Sequence, residues 1–313
     1  MIRLRFDFGY DGTDFFGWAK QPELRTVQGE FESALSKILR YAPGEGNPRL
    51  TVAGRTDTGV HALHQVCHAD IDEERLARCV GHMRVGPVEA LQRRLSRVLP
   101  PDIALHAVAV APAGFDARFS ALQRTYVYRV SDASCLADPR MRHFVLRVED
   151  RLDVESMNAA VASTVGLHDF GSFATPNPGG TTIREVKSAH WDRVPIRPLI
   201  GEPGVGEDSP SGGSGNARDE FHTVPSCESG LLCFTIVADA FARNMVRSLV
   251  GASLRVGQGK RSVDWFLSKM ETPVREGESG PCPPQGLTLE HIAYPPDAQL
   301  AARAAKIRAV RTL

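Results

Sequence analysis

The chain has 313 residues, of which 42% are hydrophobic and 24% charged. That is enough for one large domain or two ordinary ones, each with a real core. Lys plus Arg and Asp plus Glu both total 37, so the formal net charge is zero, and any nucleic-acid surface has to be local rather than global.

The opening MIRLRFDFGYDG alternates Ile2, Leu4, Phe6 and Phe8 with Arg3, Arg5 and Asp7. A period of two predicts a half-buried strand, not a signal peptide. YDGTDFFGW follows as a Gly/Asp-rich turn. Thr26 is placed to cap a helix whose apolar stripe is Val27, Phe31, Ala34, Leu35 and Ile38. RLTVAG reads as a second strand, running into the turn AGRTDTGVHA. GPVEALQRRLSRVLP predicts a helix stopped by Pro100 and Pro101, and IALHAVAVA a strand.

A similar order begins again near Phe115. RTYVYRVSD reads as a strand, and DVESMNAAVASTVG as a helix with Val154, Met157, Val161 and Val165 on one face. TTIREVKSAHWDRV and LLCFTIVADA are predicted strands, FARNMVRSLVGASLRVG a helix, and LTLEHIAY a late strand. The expected class is α+β: two ferredoxin-like subdomains, 1–112 and 113–297, sharing an extended, mainly antiparallel sheet. An active-site cleft would lie between the halves, and 298–313 would form a tail. Residues 198–224 are rich in Gly, Pro and Ser between flanking strands, and are expected to be a flexible insertion. No run of about 18 apolar residues occurs, so no membrane span is expected. The six cysteines form no C-x-x-C pair, the pattern of a reduced cytosolic protein rather than a disulfide scaffold or zinc ribbon.

Within AGRTDTGVHA, Asp57 has Arg55 two places before it and His61 four places after. One reading is an Asx-turn, in which Asp57 only bonds nearby N–H groups. The other is a nucleophilic carboxylate kept ionised by a neighbouring cation, with Gly54 and Gly59 allowing close approach. Asp57-Thr58-Gly59 is also an aspartic-protease signature, but such a site needs two carboxylates, and no second D-[ST]-G is present. His61, His64, Cys67 and His68 would have metal-ligand spacing on a helix, whereas QVCHAD looks like a strand. HDFGSF lacks the companion motifs of a kinase and reads as a turn, and VGQGKRS does not fit a P-loop.

Arg243 and Arg247 share a face of the predicted helix, as a solvated basic edge or as an Arg turned inward to a carboxylate. Tyr126 and Tyr128 alternate on one strand face, suited to cross-strand packing or to stacking on a base in a cleft. HMRVGPVEALQRRLSRV, DARFSALQRTYVYR and DPRMRHFVLR are Arg-rich stretches that suit a phosphate backbone with unstacked bases.

Taken together, these segments resemble the TruA-type tRNA pseudouridine synthases. YDGTDFFGWAKQ is similar to that family's Y-D-G-x-x-F-x-G-W opening, AGRTDTGVHA to its catalytic turn, and FDARFSALQRTYVYRV to its H-A-R-F-S-A…R-x-Y-x-Y segment. GLHDFGSF, AFARNMVRSLVG and GLTLEHIAYP match three later blocks in order. The resemblance implies that Asp57 is the nucleophile, and that Arg55 extrudes the target nucleotide or fills its vacated place. It implies that Tyr126 stacks on the uracil, Arg247 pairs with Asp57, Leu287 lines the pocket and Arg118 binds substrate. It further implies a cytoplasmic homodimer that isomerises uridines 38, 39 and 40 of the tRNA anticodon stem-loop after base flipping, with neither metal nor organic cofactor. Two departures stand out: Ala19 replaces a common Gln, and the 198–224 insertion is longer than is typical.

Overall fold

The computed structural model describes residues 1–42, 45, 48–176, 180–195, 226–275 and 277–307. The expected 198–224 insertion lies outside them, as does the chain beyond 307.

Strand β1 (Ile2–Tyr10) buries Leu4, Phe6 and Phe8 completely, as its alternation requires. Helix α1 (Val27–Ile38) starts at Thr26, whose hydroxyl accepts from the Gly29 N–H. It brings Phe31 to Phe6 and Phe8, with ring centroids 5.5 and 4.9 Å apart. Each such fully buried ring stabilises by about 1.5–3 kcal/mol relative to exposure, so this cluster fixes α1 against the sheet. Strand β2 (Thr51–Val52) is shorter than the pattern RLTVAG suggests and pairs with the long β3 (His61–Ile71). Helices α2 (Glu73–Arg78) and α3 (Pro87–Val98) and strand β4 (Ile103–Val110) follow. Helix α3 has Pro87 in its first turn and buries Ala90, Leu91 and Leu95.

The second half contains β5 (Gln123–Ser131), β6 (Leu146–Arg147), α4 (Val154–Ala162), β7 (Gly166–Asp169), β8 (Ile183–Arg193), β9 (Leu232–Ala238), α5 (Met245–Gly257), α6 (Val263–Glu271), β10 (Leu287–Ala293) and α7 (Leu300–Ile307). Helix α4 buries Met157 and Val161, but Val165 falls past its end and is 45% exposed. The Ser163 and Thr164 hydroxyls bond back to Ala160 O and Val161 O, drawing the chain out of the helix. HDFGSF is divided: His168 and Asp169 belong to β7, and the turn begins at Phe170. The stretch expected to be a tail carries α7, which buries Leu300 and Ala304.

The strands form one sheet in the order β4-β1-β3-β10-β5-β9-β8-β7, with β2 added to β3 and β6 to β5. The fold is α+β with a mostly antiparallel sheet and helices packed on it. The last strand in the chain stands in the middle of the sheet. Strand β10 runs parallel to β3, pairing Thr288 with His61, and antiparallel to β5, pairing Leu287 with Tyr128 and Leu289 with Tyr126. Leu287, Thr288 and Leu289 are consecutively buried, as expected where both faces are covered. Among the described residues, no helix is long and apolar enough to cross a membrane.

Candidate active site

Residues 53–60 leave β2 and re-enter the sheet at β3. They are clasped by the segment that follows β1. Trp18 N–H donates to Thr56 O at 3.1 Å, Gly59 N–H to Phe15 O at 3.2 Å, and Val60 N–H to Asp57 O at 3.2 Å. Gly17 makes the clasp possible: its φ is +83°, and a Cβ there would lie 3.0 Å from Thr56 O and 3.2 Å from the Asp57 carbonyl carbon. From within the core, the Tyr10 and Thr56 hydroxyls share a 2.7 Å hydrogen bond, and Gln65 Nε2 donates to Gly54 O at 2.7 Å. Burial pushes the Tyr10 hydroxyl up to about 12, so it remains a neutral strut.

On this braced turn the Asp57 side chain is half-buried, and its carboxylate has no hydrogen-bond or ion-pair partner among the described residues. The Asx-turn reading is therefore not what the fold builds. Tyr126 faces it from β5. The Tyr126 hydroxyl lies 3.9 Å from the position a Cβ would take on Gly54, and it too lacks a hydrogen-bond partner among the described residues. The other buried tyrosines differ: Tyr10 is bonded to Thr56, and Tyr128 donates to Pro283 O at 2.7 Å. Burial raises the Tyr126 hydroxyl above the ordinary tyrosine value, and the nearby Tyr10 and Asp57 add to that rise. The ring is held edge-on by Phe241, with centroids 5.1 Å apart.

The remaining expected residues fall in two groups. Leu287, at the start of β10, is buried on the same sheet face as Tyr126 and Tyr128. Arg247 is half-buried on α5. Its Nε–H donates to Cys282 O at 2.7 Å, and Cys282 N–H returns a bond to Arg247 O at 3.1 Å. The expected Arg247–Asp57 ion pair is not formed among the described residues, because this exchange ties the arginine to the loop before β10. Arg55 and Arg118 are exposed, and the Arg118 guanidinium lies over the Phe119 ring at 5.1 Å. Arg243 does not share a helical face with Arg247. Asn244 adopts φ +63°, so α5 begins only at Met245.

The Arg-rich stretches are partly neutralised: Arg93 pairs with Glu89, Arg140 with Asp138 and Arg147 with Glu149. The histidines of β3 each have a separate structural partner. His61 Nδ1 accepts from Gly12 N–H, His64 Nε2 meets Asp7, and His68 Nδ1 accepts from Ala117 N–H, each at 3.0 Å. Among the described residues no group of three or more His, Cys, Asp or Glu side chains could hold a metal ion.

One residue went unremarked in the sequence. Arg124 is buried on β5, two places before Tyr126, and donates only to main-chain carbonyls. Its signal was its register: in RTYVYRV it shares the alternation of Tyr126 and Tyr128, which places a guanidinium on the inward face.

A half-buried carboxylate without a partner among the described residues thus stands near a buried tyrosine ring on one open sheet. A family model described as tRNA pseudouridine synthase matches residues 8–120 and 160–295. The chain belongs to the tRNA pseudouridine synthase family and is an isomerase. It is 64% identical over 313 residues to the tRNA pseudouridine synthase A of Bifidobacterium animalis subsp. lactis, covering 100% of both chains. It is 43% identical over 312 residues to that of Streptomyces griseus subsp. griseus, covering 100% of this chain and 95% of the relative. With that of Leifsonia xyli subsp. xyli the identity is 41% over 317 residues, covering 99% and 98%.

Proposed function

We propose that this isomerase converts uridines 38, 39 and 40 of the tRNA anticodon stem-loop to pseudouridine, with Asp57 as nucleophile. The observation that carries the reading is the pairing of two unpartnered groups, the Asp57 carboxylate and the Tyr126 hydroxyl edge, across one half-buried turn. The Asp57 carboxylate is half-buried and held by no described residue, which leaves it available to a ligand.

The reaction breaks the N1–C1′ bond and forms C5–C1′. The C5 proton leaves to solvent and N1 takes one up, so atoms balance without oxidant or reductant. Breaking a glycosidic bond develops positive charge on the sugar, which a carboxylate stabilises or traps. Attack of Asp57 on the base instead of the sugar uses the same geometry. The uracil must be retained while it turns, which asks for a closed and partly apolar wall. Tyr126 stacks on the base and Leu287 closes the pocket. A paired uridine is unreachable within its helix, so it is flipped, and Arg55 displaces it or takes its place. The Arg247 Nη groups, without protein partners among the described residues, are free for Asp57 or a phosphate once substrate enters. Exposed Arg118 meets the backbone. With this reading go a cytoplasmic homodimer and a cleft between two subdomains.

The test is tRNA transcript labelled at uracil C5, incubated with enzyme and no added metal. Wild-type protein releases label, and Asp57→Asn folds and binds tRNA but releases none. Transcripts with cytidine at positions 38, 39 or 40 identify the target. Substantial turnover by Asp57→Asn removes it as nucleophile.

A further inference from the structure

Arg124 carries a charge that the fold does not neutralise. It is 8% exposed, and among the described residues it has no carboxylate partner. Its Nη1 donates to Asp239 O at 2.5 Å, and its Nη2 to Ala53 O at 2.7 Å and to Arg118 O at 2.8 Å. Burying a guanidinium against neutral carbonyls is costly, since hydrogen bonds are satisfied but the charge is not. The three carbonyls come from three separate segments that Arg124 joins. Ala53 opens the Asp57 turn, Arg118 lies in the loop before β5, and Asp239 follows the end of β9. Tyr126 stands two residues along the same strand face.

We propose that Arg124 is a positioning residue that sets the separation between the Asp57 turn and the Tyr126 ring by gripping Ala53 O. Gln65 grips the next carbonyl, Gly54 O, from the other side at 2.7 Å. The first two peptide groups of the turn are thus fixed from opposite halves of the sheet, by β5 and by β3. A planar fork can reach three carbonyls at once, whereas a lysine presents a single nitrogen at the end of a flexible stem. Displacing the turn by about 1 Å would separate nucleophile and ring while leaving the exposed tRNA contacts in place.

The proposal rests on the reading of Asp57 as nucleophile, and the experiment separates the two. Arg124→Lys and Asp57→Asn are compared with wild type for C5-label release over a range of tRNA concentrations, alongside amide hydrogen exchange. The expected result for Arg124→Lys is a fall in kcat of about tenfold or more with KM within about twofold, because orientation rather than binding is lost. Exchange at residues 53–60 speeds up, while protection in β1 is unchanged. The proposal is overturned by a kcat within about twofold of wild type, by unchanged exchange at 53–60, or by an equal loss of protection in β1, which marks a purely structural role. If Arg124→Lys does not fold, wild-type exchange decides. Residues 53–60 must open together with β5, and their opening as an independent loop overturns the proposal. Turnover by Asp57→Asn instead sinks the nucleophile assignment and leaves the Arg124 measurements to stand or fall by themselves.

Discussion

On the outward face of the central strands, Arg5 donates twice to Asp7 at 2.9 and 2.6 Å, and Asp7 meets His64 Nε2 at 3.0 Å. The His64 ring stacks on His291 with centroids 5.3 Å apart, and the Arg5 guanidinium lies 5.0 Å from the Tyr294 ring. At the Asp57 turn the polar atoms that hold the backbone are all bonded, by Tyr10, Gln65 and Arg124. Among the described residues, the Asp57 carboxylate and Tyr126 hydroxyl are not. Both regions are half-buried and ionisable. In the first, Arg5, Asp7 and His64 Nε2 are linked to one another, the buried His64 Nδ1 alone lacking a partner among the described residues of this cluster, and the result is a strut. In the second, the backbone of the turn is held while the two side-chain groups proposed to meet substrate have no partner among the described residues. The contrast separates a polar cluster that holds the sheet from one proposed to meet a ligand.

The strongest way to break that contrast is Asp57→Asn, which keeps shape but removes the carboxylate. Label release is expected to fall by at least about a thousandfold, the range in which loss of a nucleophile operates. Thermal unfolding stays close to wild type, because none of the described residues bonds that side chain. Tyr126 sharpens the comparison. Tyr126→Leu is expected to lower kcat/KM roughly ten- to a hundredfold, since base–aromatic stacking is worth about 1–3 kcal/mol. Tyr126→Phe should cost much less, and equal losses would assign the work to the hydroxyl.

Smaller effects test the scaffolds. Gly59 has φ +74°, and a Cβ there would lie 2.7 Å from Pro284 Cγ. Gly59→Ala is expected to destabilise by about 1–2 kcal/mol through the left-handed backbone alone, measured by denaturant titration, with further loss of turnover as the turn shifts. Asp7→Asn addresses the outward cluster. Burial by itself would raise the Asp7 carboxyl, but hydrogen bonds from His64 and Arg5 outweigh it and hold the group below its usual value of 3.8. Its contribution is therefore complete above that value and disappears as pH falls through the lowered native one. Asp7→Asn should cost about 1–3 kcal/mol at neutral pH, the scale for leaving a buried polar partner unsatisfied. The variant should show a flatter acid limb in its stability profile and turnover equal to wild type. A catalytic defect in Asp7→Asn would erase the distinction between the two faces.

The sequence by itself determined the local elements. Leu4, Phe6 and Phe8 alternate because a strand has two faces, and Thr26 caps because its hydroxyl reaches an N–H three residues on. It also singled out the Asp57 turn, whose Gly17 and Gly59 contacts demand those residue types. Helices α2, α6 and α7 were not among the expected elements; α2, at six residues, spans under two turns, too few for a periodic signal. Tertiary structure alone decided that β10 would enter the middle of the sheet beside β3, that Arg247 would bind Cys282 O, and that Arg124 would reach Ala53. Each of these joins groups 35 or more positions apart. Such contacts leave no periodicity in the chain, because they arise from how whole elements pack rather than from the conformation of any one segment.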